Sequence, residues 1–474
     1  MVSNVMLTLC FLGAVLVIYY ALPKAYRWIC LLAASCVFYA SVDPWMLLLI
    51  GGSTLWAWFA GLQIEGGKEE NTISKKARGW LLGGSLPLIG VLFVFKYLNF
   101  FIESAMALFG FLGFSGEPLT LKLVMPLGIS YYTFKLLSYL FDVYRGKMQT
   151  EKHFGFFALY VSFFPQILSG PIERAEVLLP QFREPAFDKQ LFARGIQRIV
   201  LGLFKKMVIA NRLSNYVNLI FADPADYPAL AAWMAAFFYA IQLYCDFSGY
   251  SDLALGMSDC MGIRCRENFR MPYFSTSIKE FWSRWHISLS SWLRDYVYIP
   301  LGGNRVSKAR KNLNLLLTFL VSGLWHGDSW TFVVWGAMHG VWNMFSKKAE
   351  PKNLLHRIWK TLVTFAGMTF TLIFFRADTL ATGVGFLKRM VTGFSLSYTE
   401  IVAAVLPFSG DNTCAALLLT VCLCIFLLFL YELQAVRKDL AEPAILSAPW
   451  LAVFLVLTLL LGVFGNSSFL YANF

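Results

Sequence analysis

The chain has 474 residues, of which 58% are hydrophobic and 14% charged, with a formal net charge of +12. Soluble globular chains carry about 25% charged residues, so most of this surface must face something other than water. A mean hydropathy of +0.60 agrees, and the class implied is an all-α polytopic membrane protein rather than a water-soluble enzyme or binding module.

In chain order, the runs 5–22, 80–95, 413–431 and 450–465 approach the ~20 apolar residues a spanning helix needs. The first is too long for a cleaved signal peptide and no basic residue precedes it, so it is read as a span. Positive charge falls in blocks: Lys24 and Arg27, Lys68 to Arg78, Arg145 and Lys147, Arg174 to Lys206, Arg264 to Lys311, Lys347 with Lys348 and Lys352, and Arg437 with Lys438. The connections 103–120, 221–230 and 397–413 hold no Lys or Arg. Clustered cations mark cytoplasmic loops, and the alternation predicts about twelve spans with both termini outside. The net charge is thereby explained without nucleic acid.

The apolar run "FGFFALYVSFFPQILSGP" (154–171) lies between two basic blocks. It is read as a re-entrant or paired half-helix on the cytoplasmic side, broken at Pro165 and Gly170. The nine cysteines form no CxxC pair and no Cys/His cluster with ligand spacing, so no metal site is expected. Cys422 and Cys424 read as small hydrophobes, and Cys260 and Cys265 as loop thiols open to lipidation. No repeat or long linker divides the chain, which is read as one membrane-embedded domain, 1–474.

The longest cytoplasmic loop, 260–311, is too polar to span yet dense in aromatics. Ile278, Phe281, Trp282, Trp285, Leu289 and Trp292 step by three and four, which predicts one amphipathic helix with an aromatic stripe. Ser275, Thr276 and Ser277 are N-cap candidates, with Glu280 as the capping-box partner of Ser277. Pro300, Gly302 and Gly303 end the element. The plain reading is a helix lying along the membrane surface, its cations toward anionic lipid. The sharper one notes that His286 lies on this segment, within reach of a protein-lined cavity.

Five histidines are present. His153 and His356 sit among charged residues, whereas His286, His326 and His339 are surrounded by apolar and small ones. A buried imidazole is costly unless both ring nitrogens are served, and each of these three has an ordinary role in helix packing open to it. Inside a membrane the default shifts toward function. For His326 it shifts furthest, because Gly323, Gly327 and Gly340 permit close backbone approach. Counted from residue 312 at 1.5 Å per residue, His326 lies about 21 Å along its helix, beyond mid-membrane.

The runs "DFSGYSDLALGM" (246–257), "NFRMPYFSTSIKEFWSRWHISLSSWLRDYVYIPLGGNR" (268–305), "SGLWHG" (322–327), "WGAMHG" (335–340) and "FFRADT" (374–379) resemble the membrane-bound O-acyltransferase family. The resemblance is nearest to its bacterial branch that contains the membrane subunit of alginate O-acetylation. It implies helices ringed around a funnel or tunnel, a catalytic histidine at His326 and a second invariant polar residue at His286. No motif position departs from the family pattern.

The resemblance also implies acetyl transfer from cytoplasmic acetyl-coenzyme A, a substrate rather than a bound cofactor. Arg284, Arg294 and Arg305 are candidates for its phosphates, although the same cations suit lipid headgroups. His326 suits either a general base or a nucleophile, and His286 a group that orients the donor or stabilises an oxyanion. Asp295 is a candidate orienter of an imidazole or partner of an arginine. Trp325 and His339 are candidate tunnel-lining residues. No extracytoplasmic loop is long enough for a sugar-binding domain, so polysaccharide meets the acetyl group through a partner or in a shallow outer funnel. The resemblance implies the former, a periplasmic serine transferase of a polysaccharide synthesis and export system. The location implied is a bacterial inner membrane. Two rivals stand beside this reading: D-alanyl transfer to teichoic acid from a carrier protein, and a proton-coupled transporter. Few acidic residues in the spans and no repeated half weigh against the transporter.

Overall fold

The computed structural model describes residues 5–69, 72–113, 120–121, 123–167, 170–347, 350–405, 412–438 and 447–464. Lys348, the last residue of the 450–465 run and parts of the uncharged connections 103–120 and 397–413 lie outside the described residues. Helix dominates, and the only strands among the described residues are a two-residue antiparallel ribbon, Lys68–Glu69 with Thr72–Ile73. Five helices are long and apolar enough to cross a bilayer: Pro44–Gly66, Lys75–Lys96, Ala229–Cys260, Leu354–Arg376 and Ala416–Arg437. Val5–Ala21, Leu98–Phe111, Phe154–Ile167 and Ala448–Leu461 are shorter apolar helical segments. The protein is a multi-pass membrane protein, and by length and composition the described helices account for five of the expected spans.

Two compact units are present, one formed by residues up to Phe192 together with Met257–Arg266, the other by Ala193–Gly256 and residues from Glu267 onward. In the first, Asp43 opens the Pro44–Gly66 helix by accepting the Trp45 N–H at 3.0 Å, with Pro44 in the first turn where its missing N–H is harmless. The segment 154–167 breaks as expected, but at a different residue. Helix Phe154–Ser162 stops at Phe163, whose ψ of 107° leaves the helical region, and Phe164–Ile167 restarts with Pro165 in its first turn. Pro165 thus starts the second half-helix instead of ending the first. Cys260 is buried in this unit.

The second unit is organised around residues 229–256 of the 32-residue helix Ala229–Cys260. Ala231, Ala232, Ala235, Ala236 and Ala240 let neighbours approach it closely, all being buried. Two of its acidic residues are buried in ion pairs: Lys205 meets Asp252 at 2.9 Å and Lys206 meets Asp246 at 2.5 Å. Both lysines lie on a π-helical stretch, Phe204–Ala210. Tyr244 donates to Glu432 at 2.6 Å. Charges at membrane depth persist only when paired in this way.

Candidate active site

All three buried histidines fall in the second unit, and each is placed by a different local device. The predicted single helix over 278–292 is in fact two. Helix Ile278–Arg284 ends at Trp285, which is extended, and Ile287–Leu293 begins after His286, whose φ is +42°. Tertiary bonds override the continuous helical period here. Arg270 N–H reaches Arg284 O at 2.8 Å and Ile287 N–H reaches Asn268 O at 2.9 Å, so the 268–270 strand of chain takes over the bonds that a continuous helix would have made. A positive φ is uncommon for a residue with a Cβ, though less so for His than for most. The N-cap is as predicted, with Ser277 Oγ accepting Glu280 N–H. The Glu280 carboxylate turns back one residue earlier than expected, onto Thr276 N–H and Oγ1 at 2.8 Å each. A short π-helical turn, Arg294–Tyr298, follows, and π-bulges of this kind recur at functional sites.

His326 is the last residue of helix Lys308–His326. The next helix, Trp330–Phe345, is opened by Ser329 accepting Thr331 N–H and folds back against it. The two meet at Gly323 and Gly336. A Cβ on Gly323 would sit 2.3 Å from Phe332 O, and one on Gly336 2.4 Å from Phe319 O. Only glycine fits at either position.

The result is an alternating series of rings. His286 lies 5.6 Å from Trp325, Trp325 5.0 Å from His326, His326 5.1 Å from Trp335, and Trp335 4.7 Å from His339, centroid to centroid. Every step is edge-to-face, the arrangement that the ring quadrupoles favour. Phe375 flanks His326 at 5.2 Å, and Trp282 touches both Trp335 and His339 at 5.8 and 5.1 Å. His286 and His339 are fully buried, and His326 is 2% exposed.

Hydrogen bonding around the series is unevenly distributed. Asn268 Oδ1 lies 3.1 Å from His286 Nδ1 and also accepts Ser288 N–H and Oγ–H at 3.2 and 2.9 Å. His339 Nε2 lies 3.1 Å from Thr371 Oγ1, whose own proton points to Met368 O at 2.8 Å. The other ring nitrogens of His286 and His339, the indole nitrogens of Trp282 and Trp335, and Asn268 Nδ2 are buried with no hydrogen-bond partner among the described residues. Leaving one such group unpaired costs about 1–3 kcal/mol. Several within one cluster make it the candidate functional site.

A cavity of about 380 Å³ adjoins this cluster, with Lys279, Trp282, Ser283, Arg294, Tyr298 and Ser322 among its lining residues. Ser322 lies one helical turn before His326, and the lining residues Trp282 and Phe319 both contact His339. Of the three candidate arginines only Arg294 lines it. Arg284 pairs with Glu280 at 2.8 Å on its own helix, and Arg305 is solvent-exposed. Asp295 pairs with its neighbour Arg294 at 2.8 Å, the second of its two expected roles. Trp325 and His339 both stand in the ring series.

Sequence reasoning missed Asn268, Thr371, Trp282, Trp335 and Phe375 as site residues. Asn268, Trp282, Trp335 and Phe375 sit within the quoted motifs, so the signal was present. Thr371 lies in an apolar helix with no distinguishing pattern around it.

Comparison with known proteins bears on the same residues. Residues 151–350 match the family model described as MBOAT, membrane-bound O-acyltransferase family. A Pseudomonas aeruginosa protein named "Probable alginate O-acetylase AlgI" is 41% identical over 383 residues, covering 80% of this chain and 72% of its own. A peptidoglycan O-acetyltransferase of Helicobacter pylori is 34% identical over 422 residues, covering 82% and 78%. A teichoic acid D-alanyltransferase of Bacillus subtilis is 31% identical over 269 residues, covering 52% and 68%. The matched span includes His286, His326, His339 and the tryptophans between them, and the chain is an acyltransferase belonging to the membrane-bound O-acyltransferase family.

Proposed function

We propose that the chain is the membrane component of an O-acetylation system. It takes acetyl from cytoplasmic acetyl-coenzyme A and delivers it across a bacterial inner membrane, through a tunnel ringed by about twelve spans. A periplasmic serine acetyltransferase receives the acetyl group and transfers it to an exported polysaccharide. The observation that carries this reading is His326 itself, buried edge-on between two tryptophans, in a cluster where the second ring nitrogens of His286 and His339 have no hydrogen-bond partner among the described residues. Relatives named as O-acetylating enzymes support it from a second direction.

In this reading the cavity beside Trp282 admits the pantetheine arm, with Lys279 and Arg294 toward the phosphates. His326 takes the proton of the attacking hydroxyl. The hydroxyl oxygen bonds to the thioester carbonyl carbon, the C–S bond breaks, and the departing thiolate collects that proton from the imidazolium. If instead the imidazole nitrogen attacks first, an acetyl-imidazole forms and the hydroxyl displaces it in a second step. His286 and His339 position reactants, and Trp325 lines the path.

Similarity to the Bacillus subtilis enzyme supports a second reading, transfer of D-alanine from a carrier protein. Both are tested on the purified protein in nanodiscs with the serine transferase present. Label from acetyl-coenzyme A should reach the partner with wild type and not with a folded His326→Ala. Turnover of a D-alanyl carrier but not of acetyl-coenzyme A would replace the first reading with the second. Full activity in His326→Ala would end both.

A further inference from the structure

Asn268 lies 18 residues before His286 and grips the backbone break from two sides. Its main-chain oxygen accepts Ile287 N–H at 2.9 Å. Its side-chain oxygen accepts Ser288 N–H at 3.2 Å and Ser288 Oγ–H at 2.9 Å. A backbone N–H only donates, so the atom facing it is the amide oxygen and not the nitrogen. The same oxygen lies 3.1 Å from His286 Nδ1. An oxygen with no proton of its own meets a ring nitrogen at that distance by accepting, which puts the hydrogen on Nδ1.

A neutral imidazole protonated at Nδ1 carries a lone pair at Nε2. That atom is buried and has no partner among the described residues. The rings packed on the imidazole are Phe247 at 4.7 Å and Trp325 at 5.6 Å, centroid to centroid. Phe247 has no polar atom and the Trp325 indole only donates, so neither could accept from a second proton on Nε2. An imidazolium here would bury its charge with one N–H unsatisfied, which the enclosure disfavours.

We infer that Asn268 is a positioning residue: its carbonyl oxygen holds His286 as the Nδ1–H tautomer, so that Nε2 accepts a hydrogen bond from an amide N–H of the acyl donor's pantetheine arm and the acceptor's hydroxyl proton is left to His326. The tautomer rests on hydrogen bonding alone, and the part played by the lone pair rests on the O-acyl transfer reading above. An oxyanion-stabilising role for His286 would require a hydrogen on Nε2 and is the alternative this excludes.

With five histidines in the chain, ¹⁵N-histidine labelling of the nanodisc protein resolves each ring, and His286→Gln identifies the signal. Wild type should show Nδ1 protonated and Nε2 bare. Asn268→Ala should shift the ring toward the Nε2–H form and lower kcat/KM for acetyl-coenzyme A roughly a hundredfold. Asn268→Asp keeps the accepting oxygen and should restore both the tautomer and most of the turnover. Ser288 Oγ lies 3.5 Å from Nδ1 as well, but its proton goes to Asn268 Oδ1 at 2.9 Å, so Ser288→Ala should leave the tautomer as it is. A wild-type Nε2–H signal would overturn the inference. So would an Asn268→Ala protein with unchanged spectrum and turnover, or a folded Asn268→Asp no better than Asn268→Ala. Should Asn268→Ala fail to fold, the wild-type spectrum and the aspartate variant still decide. Because the tautomer is read without turnover, a wild type with the expected spectrum and no acyl transfer would count against the functional reading alone.

Discussion

The rings of His326 and Trp335 meet edge to face, centroids 5.1 Å apart with planes at 87°. The same indole lies 4.7 Å from His339, so one tryptophan spaces two imidazoles and limits how either can turn. Position in such a site is set by packing as much as by hydrogen bonds.

Trp335→Ala should therefore cost about 3–5 kcal/mol in stability and abolish acyl transfer. Trp335→Phe retains an aromatic edge and should keep the fold with reduced turnover. Thermal unfolding and label transfer measured on the same nanodisc preparations check both halves. A Trp335→Ala protein with wild-type rate would show that the spacing is unimportant.

Glycine-to-alanine changes should act in opposite directions at two places. At Gly323 the new Cβ would meet Phe332 O at 2.3 Å, and a backbone atom cannot swing aside. A loss of about 1–3 kcal/mol is expected, with activity falling as His326 is displaced. At Gly90, inside the Lys75–Lys96 helix, a Cβ meets nothing within 4 Å, and the same change should be neutral or gain about 0.4–1 kcal/mol. Melting midpoints of the two variants, compared side by side, decide the matter.

Lys205 and Asp252, 2.9 Å apart and both buried, should behave as a pair. Lys205→Met leaves a buried carboxylate exposed to no compensating cation and should cost about 3–5 kcal/mol. Adding Asp252→Leu should recover much of that loss. A double-mutant cycle by denaturation gives the coupling, and strictly additive losses would contradict it.

Asp188 offers a pH-dependent test outside the membrane. Its carboxylate accepts Leu191 N–H at 3.1 Å and Gln190 N–H at 2.9 Å at the start of helix Lys189–Leu203. The Leu191 bond is the main cause holding its pKa below the usual aspartate value, opposed by some desolvation and aided by Arg264. A carboxylate with a depressed folded pKa contributes stability that is present above the unfolded pKa of about 3.9 and lost as pH falls through the folded value. Asp188→Ala should melt earlier than wild type at neutral pH, with the gap closing once both are strongly acidified. A gap that persists in acid would assign the effect to something other than the carboxylate.

Much of the site was legible before the fold. His286, His326 and His339 stand out because a membrane chain has few reasons to bury an imidazole, and the motif around each is dense in tryptophan. What the sequence did not disclose depends on long-range bonds. The apolar period runs unbroken from Ile278 to Trp292, so nothing local marks the break at Trp285 and His286. It exists because residues 268–270 compete for the backbone. Thr371 reaches His339 across 32 positions, and Lys205 reaches Asp252 across 47. Separations of that size leave no periodic trace. The start of the second half-helix at Phe164 was missed for the opposite reason: proline was read as a terminator where it serves as a first-turn residue.

The pairings of Arg270 with Arg284 and of Asn268 with Ile287 have a consequence for length. They close a ring of chain whose residue count is set by its two ends, with the histidine just inside the fastening. A residue added or removed anywhere between 271 and 283 would have no slack to occupy. It would carry a different side chain into the place of His286, even if every remaining residue were kept. Tolerance to insertion should therefore be lowest along this stretch of loop, the reverse of what a solvent-facing connection of that size usually allows.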